Sequence, residues 1–164
     1  AGQGTVALEI LAAMPDVATI VVPVGGGGLL GGTGSLVRRV APHVRLLGAQ
    51  SERTRAMSES LRAGHLTEVP IEPTLADGLA GQIDEEAFDI GLHALDAMAT
   101  VSEEAIGRAI RHLATAHGAR VEGAGAVGVA ALMERAFAEP PRLPLVVIVS
   151  GGNIDEGRWK AVVA

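Results

Sequence analysis

Four consecutive glycines, Gly25, Gly26, Gly27 and Gly28, directly follow an apolar, β-branched run at residues 17–24. That run lacks polar alternation, which is typical of a strand buried on both faces of a parallel sheet. The glycines would interrupt any helix through the uncharged stretch 17–37, so this stretch is not predicted to span a membrane. The residues that follow are typical of a helix start. The sequence therefore predicts a strand, a glycine loop and a helix, in that order.

Similar patterns recur along the chain. Residues 44–50 and 145–150 are further predicted strands, and residues 5–14 and 123–137 are predicted helices. Asp84 and Ser102 are predicted caps of two more helices, the first with Phe88, Leu92 and Leu95 as its apolar stripe and the second with Gly118 at its end. Alternating strands and helices predict one α/β domain, a three-layer sandwich with a mostly parallel sheet and helices on both faces.

The composition excludes several classes of protein. The 164 residues include no cysteine, so the chain has neither a disulfide framework nor a thiolate metal site. The net charge of -6 and the lack of a basic cluster remove the electrostatic attraction on which nucleic-acid binding depends. The sequence shows no signal-peptide pattern. We therefore expect a cytoplasmic protein that binds neither nucleic acid nor a membrane.

The glycine loop predicts a phosphate site. Consecutive glycine N–H groups can surround an anion, and the N-terminus of the following helix adds partial positive charge. A tight turn alone would need only one glycine. Residues 26–31 also match the dinucleotide pattern G-x-G-x-x-G, but the second strand ends at Gln50, and the nearest acidic residue, Glu52, is poorly placed to bind a ribose. Half of a nicotinamide-dependent oxidoreductase is thus an alternative interpretation.

A second glycine loop, Ser150-Gly-Gly-Asn153, follows the last predicted strand. Three other motifs complete the pattern: Ala1-Gly-Gln-Gly-Thr5, Ala76-Asp-Gly-Leu79 and Val121-Glu-Gly-Ala-Gly-Ala126. In this order the motifs resemble those of the threonine dehydratase and serine racemase family of pyridoxal-phosphate enzymes, which share the fold of the tryptophan synthase β chain. The resemblance covers essentially the whole sequence.

The resemblance implies a cofactor site. Gly25, Gly26, Gly27, Gly28 and the backbone of Leu29 are expected to bind the phosphate of pyridoxal phosphate, and Ser150 is expected to meet the pyridine nitrogen. A neutral hydroxyl at that position leaves the nitrogen unprotonated, and the resulting weaker electron sink suits β-elimination. Gly78 and Glu122 are expected near the ring, although Glu122 could equally be an ordinary acidic residue at a helix N-terminus.

The sequence also departs from the family pattern. The family's Schiff-base lysine, in a Ser-Phe-Lys-x-Arg-Gly-Ala type motif, and its Ser-x-Gly-Asn loop for the substrate carboxylate both lie upstream of the stretch that matches residues 1–5. Lys160, the only lysine here, matches neither position. We therefore expect no catalytic residue in residues 1–164, which correspond to the C-terminal, large-domain part of a catalytic domain. This part is expected to be inactive without the missing N-terminal half.

Some family members bind a divalent metal after the second strand. The aligning positions here are Gln50, Thr54 and Ala56, and none is a carboxylate, so no metal is expected there.

The resemblance implies that the complete protein is a serine or threonine dehydratase, an ammonia-lyase that converts a hydroxy amino acid to a 2-oxo acid and ammonia. Serine racemase activity shares the first steps and is an alternative. Another alternative is a non-catalytic module that binds a phosphate-bearing ligand. The resemblance also makes a homodimer an expectation.

Overall fold

A computed structural model describes residues 2–164, and Ala1 lies outside the described residues. One sheet contains β1 (Thr19–Pro23), β2 (Arg45–Ser51), β3 (Ala97–Val101) and β4 (Leu145–Val147). The strand order is β3-β2-β1-β4, and every neighbouring pair is parallel.

Helices precede, connect and follow these strands. They are α1 (Gly4–Ala13), α2 (Gly28–Val40), α3 (Ala56–Ala63), α4 (Glu85–Ala94), α5 (Glu103–His117), α6 (Gly123–Met133) and α7 (Glu156–Val163), with a short 3-10 helix at Asp77–Leu79. Within residues 2–164, no helix combines the length and the apolar character needed to cross a bilayer.

The side chains of β1 alternate between two hydrophobic cores. Ile20 and Val22 pack in a core with residues of α1, α2 and α4, whereas Val21 packs in the core formed with α5 and α6. Every residue of β1 is buried, as the unbroken apolar run predicted, because helices cover both faces of the sheet. The predicted three-layer α/β architecture is confirmed. β4 is only half-buried, because it lies at the edge of the sheet.

The predicted helix caps are also present. The Asp84 carboxylate accepts a hydrogen bond from the Ala87 N–H at 2.8 Å, and the Ser102 hydroxyl accepts one from the Ala105 N–H at 3.2 Å. Gly118 ends α5 in the left-handed conformation, with φ of 62°. These local signals depend on side chains that satisfy free backbone groups, so the sequence alone could identify them.

Other local predictions were wrong. β3 was not anticipated, because alanine and methionine within Ala97–Val101 have weak strand preference, and the strand exists through its parallel pairing with β2. The predicted third strand is shorter than expected, since β4 ends at Val147, and α6 ends at Met133 rather than near Phe137.

The buried face of α4 also differs from the predicted stripe of Phe88, Leu92 and Leu95. Ala87, Gly91 and Ala94 are buried instead, while Leu92 is half exposed. A Cβ added at Gly91 would lie 2.5 Å from the Met57 sulfur, so small residues are needed where α4 packs.

The Gln50 side chain joins three segments beneath the sheet's carboxyl edge. It is fully buried, and its amide nitrogen donates to the carbonyls of Val24 at 3.2 Å and Thr54 at 2.6 Å. Its amide oxygen accepts from the Ser58 N–H at 2.8 Å. Because the donors and acceptor all find partners, this buried polar group stabilises the ends of β1 and β2 and the start of α3.

Replacing Gln50 tests this arrangement. Gln50→Ala removes all three bonds and leaves a cavity, so we expect a loss of about 2–4 kcal/mol in the free energy of unfolding. In Gln50→Glu, the charged carboxylate would face two carbonyl oxygens, which raises its pKa in the folded state. A raised folded-state pKa means that the folded protein binds the proton more tightly. Relative to wild type, Gln50→Glu should therefore lose stability as pH rises from about 4 to about 8.

Urea unfolding at several pH values measures both effects. Gln50→Ala is the matched control, because it removes the same bonds without adding a titratable group. A stability difference between Gln50→Glu and wild type that does not change with pH would contradict this account.

Candidate functional site

The parallel register of the sheet brings the two glycine-containing loops to one edge. Thr19 of β1 pairs with Leu145 of β4 and Val21 with Val147, so the chain emerging after each strand does so on the same side. A cavity of about 580 Å³ lies there. Its walls include predicted site residues from three separate segments: Gly25, Gly26, Gly27, Gly28, Leu29, Gly78 and Ser150.

Two of the four loop glycines are required by the packing of the protein itself. A Cβ added at Gly25 would lie 2.9 Å from the Cα of Leu79. Gly27 has φ of 93°, and a Cβ there would lie 2.5 Å from the Cβ of Ala87. Any side chain at these two positions would clash, and at Gly27 the backbone would also be strained.

The other two glycines face space that no protein atom fills. A Cβ at Gly28 would meet nothing within 4 Å, and one at Gly26 would lie 3.9 Å from the nearest atom, the Gln82 carbonyl oxygen. Neither has a positive φ. Folding therefore does not explain why both positions are glycine, whereas a group bound against the loop backbone would.

The backbone donors of this loop are available to such a group. α2 begins at Gly28, and its first backbone hydrogen bond runs from the Gly31 N–H to the Gly27 carbonyl at 2.7 Å. Within the described chain, the N–H groups of Gly26, Gly27, Gly28 and Leu29 have no acceptor. Free N–H groups at a helix N-terminus form an anion site, so the loop fits a phosphate group.

Gly78 and Leu79 form the wall opposite the glycine loop. They belong to the short 3-10 helix, and the Leu79 N–H donates to the Ala76 carbonyl at 2.9 Å. Leu79 was not among the predicted site residues. No signal in its own side chain could have revealed it, because its place depends on the close approach of Gly25 to its backbone.

Glu122 lies behind this wall and is not among the residues that line the cavity. A Cβ added at Gly78 would lie 3.6 Å from its carboxylate, and a Cβ at Gly151 would also clash with that carboxylate. The Glu122 N–H donates to the Gly151 carbonyl at 3.1 Å. Its side chain makes no capping bond at the start of α6, so the alternative of a helix-capping acid does not account for it.

Ser150 is exposed at the mouth of the cavity, just beyond β4. Next to it, Ile148 is anchored to the sheet by its N–H, which donates to the Val21 carbonyl at 2.9 Å. Gln3 and Val6 line the same cavity, so the motif at residues 2–5 contributes to this site. Ala1, the first residue of that motif, lies outside the described residues.

Lys160 is far from this role. It is an exposed residue of α7, and its ammonium group lies 3.3 Å from the Glu156 carboxylate. Hydrogen bonds from Arg120 and from Lys160, together with the Arg120 charge, lower the pKa of Glu156. The residues lining the cavity do not include this lysine, so the sequence-based assignment of Lys160 to the surface is confirmed.

The place where some relatives bind a metal is filled here by Gln50. Its amide nitrogen bonds the Thr54 carbonyl, and Ala56 contributes only a methyl group. Within residues 2–164, no group of three or more histidine, aspartate or glutamate side chains could hold a metal ion.

A second cavity, of about 550 Å³, lies on the other side of the glycine loop. Its charged lining residues are Arg39, Asp84 and Glu86. Two carboxylates beside one guanidinium disfavour an anion, so the phosphate is expected in the first cavity. The sequence analysis did not anticipate this second cavity.

Comparisons with known proteins agree with this site. The family model described as "Pyridoxal-phosphate dependent enzyme" matches residues 1–151. The chain is 42% identical over 156 residues to an L-threonine ammonia-lyase of Thermotoga maritima, which covers 94% of the chain and 38% of that protein. Among solved structures, maize serine racemase matches with a TM-score of 0.87 and 33% identity, covering 98% of this chain and 51% of that one.

A bacterial threonine deaminase, from the organism abbreviated T.th., matches with a TM-score of 0.84 and 38% identity, over 94% of this chain and 58% of that one. The chain thus spans about two fifths of the length of its similar curated relatives. The family model covers most of the sequence, and the predicted resemblance and tryptophan synthase β-like fold are confirmed. The chain belongs to the family of pyridoxal-phosphate-dependent enzymes.

Proposed function

We propose that the protein to which this chain belongs is an ammonia-lyase that acts on L-serine or L-threonine with pyridoxal phosphate as cofactor. In the overall reaction, the hydroxy amino acid gives a 2-oxo acid and ammonia, and the water lost in the elimination is regained in the final hydrolysis. Relatives named L-threonine ammonia-lyase and threonine deaminase support the choice of reaction.

The observation that carries the proposal is the cavity in which the glycine loop, Gly78 and Ser150 meet. Gly26 and Gly28 leave open space beside unpaired backbone N–H groups, which fits a phosphate. Ser150 stands at the far end of the same cavity, where a hydroxyl suits an aromatic nitrogen. Pyridoxal phosphate carries both groups, one at each end of a flat ring.

The residues of this chain have binding and electronic roles. When bound, the cofactor supplies an electron sink for the carbon that loses its proton. The glycine loop holds the phosphate, and Gly78 and Leu79 confine the ring from one side. The Ser150 hydroxyl can bond the pyridine nitrogen without protonating it, which keeps the electron sink weak and favours departure of the β-hydroxyl group. Glu122, behind the wall, places negative charge near Gly78 and Gly151.

The Schiff-base lysine, the general base and the substrate-carboxylate loop belong to an N-terminal half of the catalytic domain, which residues 1–164 complete as the C-terminal, large-domain part. Two features support an additional segment. β4 is apolar but half exposed at the sheet edge, so another strand could pair with it. In α1, which is apolar on most of its surface, only Gly4 and Ala7 are buried, and Leu8 is 52% exposed.

Two alternative functions remain in view. Maize serine racemase shares the fold at 33% identity, and a racemase would use the same cofactor site with different groups for reprotonation. A non-catalytic module would retain the phosphate site alone. The proposal includes a cytoplasmic location, since the chain has no cysteines from which a secreted domain could build disulfides. Assembly as a homodimer is a further expectation from the family resemblance.

Activity assays test the proposal. The complete gene product, supplied with pyridoxal phosphate and L-serine or L-threonine, is expected to release ammonia and the corresponding 2-oxo acid. Residues 1–164 alone are expected to release none, because they lack the lysine. Chiral analysis of the recovered serine would identify a racemase. Cofactor binding without either product would favour the non-catalytic module, and turnover by residues 1–164 alone would contradict the assignment of the catalytic lysine to another segment.

Gly28→Ala separates cofactor binding from folding. A methyl group at this position meets no protein atom and lies in the first turn of α2, so we expect the free energy of unfolding without cofactor to be unchanged or raised by about 0.5–1 kcal/mol. The same methyl group would project into the phosphate space, so affinity for pyridoxal phosphate should fall at least about tenfold. Urea unfolding and cofactor titration measure the two effects.

The matched control is Gly107→Ala in α5. Its added Cβ would lie 3.9 Å from the Leu75 side chain, an ordinary contact, and Gly107 does not line the cavity. This variant should gain helix stability without losing affinity for the cofactor. If Gly28→Ala binds pyridoxal phosphate as tightly as Gly107→Ala does, the glycine loop is not the phosphate site.

Ser150→Ala tests the contact to the ring nitrogen. Removing one hydrogen bond should lower kcat of the complete enzyme by about tenfold while the free energy of unfolding changes little, because Ser150 is exposed. Steady-state kinetics of the whole protein, compared with urea unfolding, measures this. An unchanged kcat would remove Ser150 from the proposed mechanism.

A further inference from the structure

Glu103 lies beneath the cavity wall and does not line the cavity itself. It occupies the first turn of α5, and its carboxylate accepts three hydrogen bonds from two other segments. One carboxylate oxygen accepts from the Ser51 hydroxyl at 2.5 Å and from the Thr74 hydroxyl at 2.7 Å. The other oxygen accepts from the Leu75 N–H at 2.5 Å. A single carboxylate thus joins α5, the end of β2 and the segment that leads to Gly78.

We call residues 74–79 the wall segment, because its last two residues line the cavity. Hydrogen bonds run through this segment from Glu103 to the cavity. The Thr74 hydroxyl that donates to Glu103 also accepts from the Ala76 N–H at 2.9 Å, and the Ala76 carbonyl accepts from the Leu79 N–H at 2.9 Å.

The wall segment in turn limits the position of the glycine loop. Leu79 lies so close to Gly25 that even a methyl group would not fit between them. Displacement of the wall segment would therefore change the width of the cavity directly beside the predicted phosphate site.

Glu103 is charged near neutral pH. Burial raises the pKa of this carboxyl, but the hydrogen bonds from Leu75, Ser51 and Thr74 and the positive charge of Arg53 outweigh burial and hold the pKa below its usual value. Its place in the first turn of α5 also favours negative charge. All three of its partners are donors, so a carboxylate suits this position better than an amide, whose NH₂ group would face a donor.

Arg158 contacts the wall segment from outside. Its guanidinium donates to the Thr74 carbonyl at 2.5 Å and to the Asp77 carboxylate at 2.7 Å. The side chains of Arg158 and Asp77 are 37% and 63% exposed, and such exposed ion pairs contribute little. The half-buried Glu103 network is therefore the stronger constraint on the wall segment.

We propose that Glu103 is a positioning residue of the cofactor site, which fixes the wall segment so that Gly78 and Leu79 confine the cofactor. This inference rests on the proposed use of pyridoxal phosphate. Glu103 acts through Thr74 and Leu75, and it contacts neither the cofactor nor the substrate.

The test compares Glu103→Gln with Glu104→Gln in the complete gene product. Both variants remove one negative charge from the first turn of α5, but Glu104 is exposed. Pyridoxal phosphate is titrated well below the melting temperature of each variant, so that only folded protein is compared. We expect Glu103→Gln to raise the Kd at least about fivefold and to shift the absorption band of the bound cofactor. Glu104→Gln should stay within about twofold of wild type.

Thr74→Val provides a second route to the same answer if Glu103→Gln folds poorly. It breaks the bond to Glu103 from the wall segment's side and should also raise the Kd. In a double-mutant cycle, the two changes should raise the Kd by less than the product of their separate effects, because they interrupt one chain of hydrogen bonds. Hydrogen exchange at Leu75 and Ala76 should increase in both variants.

The failures are distinguishable. If wild type does not bind pyridoxal phosphate, the proposed function falls and the inference falls with it. If wild type binds while Glu103→Gln matches Glu104→Gln in Kd and absorption, only the role of Glu103 is overturned. Fully independent effects of Glu103→Gln and Thr74→Val would also overturn it.

Discussion

Parallel pairing of β1 with β4 and with β2 is the constraint on which the site depends. Parallel strands all end at one edge of the sheet, so loops far apart in sequence emerge side by side. Gly25 and Ser150 are separated by more than a hundred residues, yet they line one cavity. An antiparallel partner for β1 would place the second loop at the opposite edge, and the phosphate and ring ends of a ligand could not be held together.

The glycine loop serves both the fold and the ligand. Gly25 and Gly27 lack side chains because Leu79 and Ala87 occupy the space, whereas Gly26 and Gly28 border an open cavity with free backbone donors. The same four-residue run therefore contains packing positions and binding positions in alternation. This division explains why substitutions at neighbouring glycines should have opposite effects on stability and on binding.

Buried polar groups hold the loops around this site at a fixed separation. Gln50 joins the ends of β1 and β2 to α3, and Glu103 joins β2 and α5 to the wall segment. Each satisfies several backbone groups at once, which makes the surrounding loops rigid at the edge where the sheet itself ends. A cofactor pocket formed largely by loops needs such support, because no strand continues through it.

The sequence by itself determined the local features: the buried strand before Gly25, the Asp84 and Ser102 caps, the phosphate-binding loop and the family resemblance. These depend on short-range chemistry, namely β-branched side chains, side-chain capping oxygens and free glycine amides. Only the tertiary structure decided that Ala97–Val101 is a strand, that α4 buries its small residues, and that Leu79 and Glu103 support the cavity. Those features arise from pairing and packing between distant segments, and no residue pattern within a single segment encodes them.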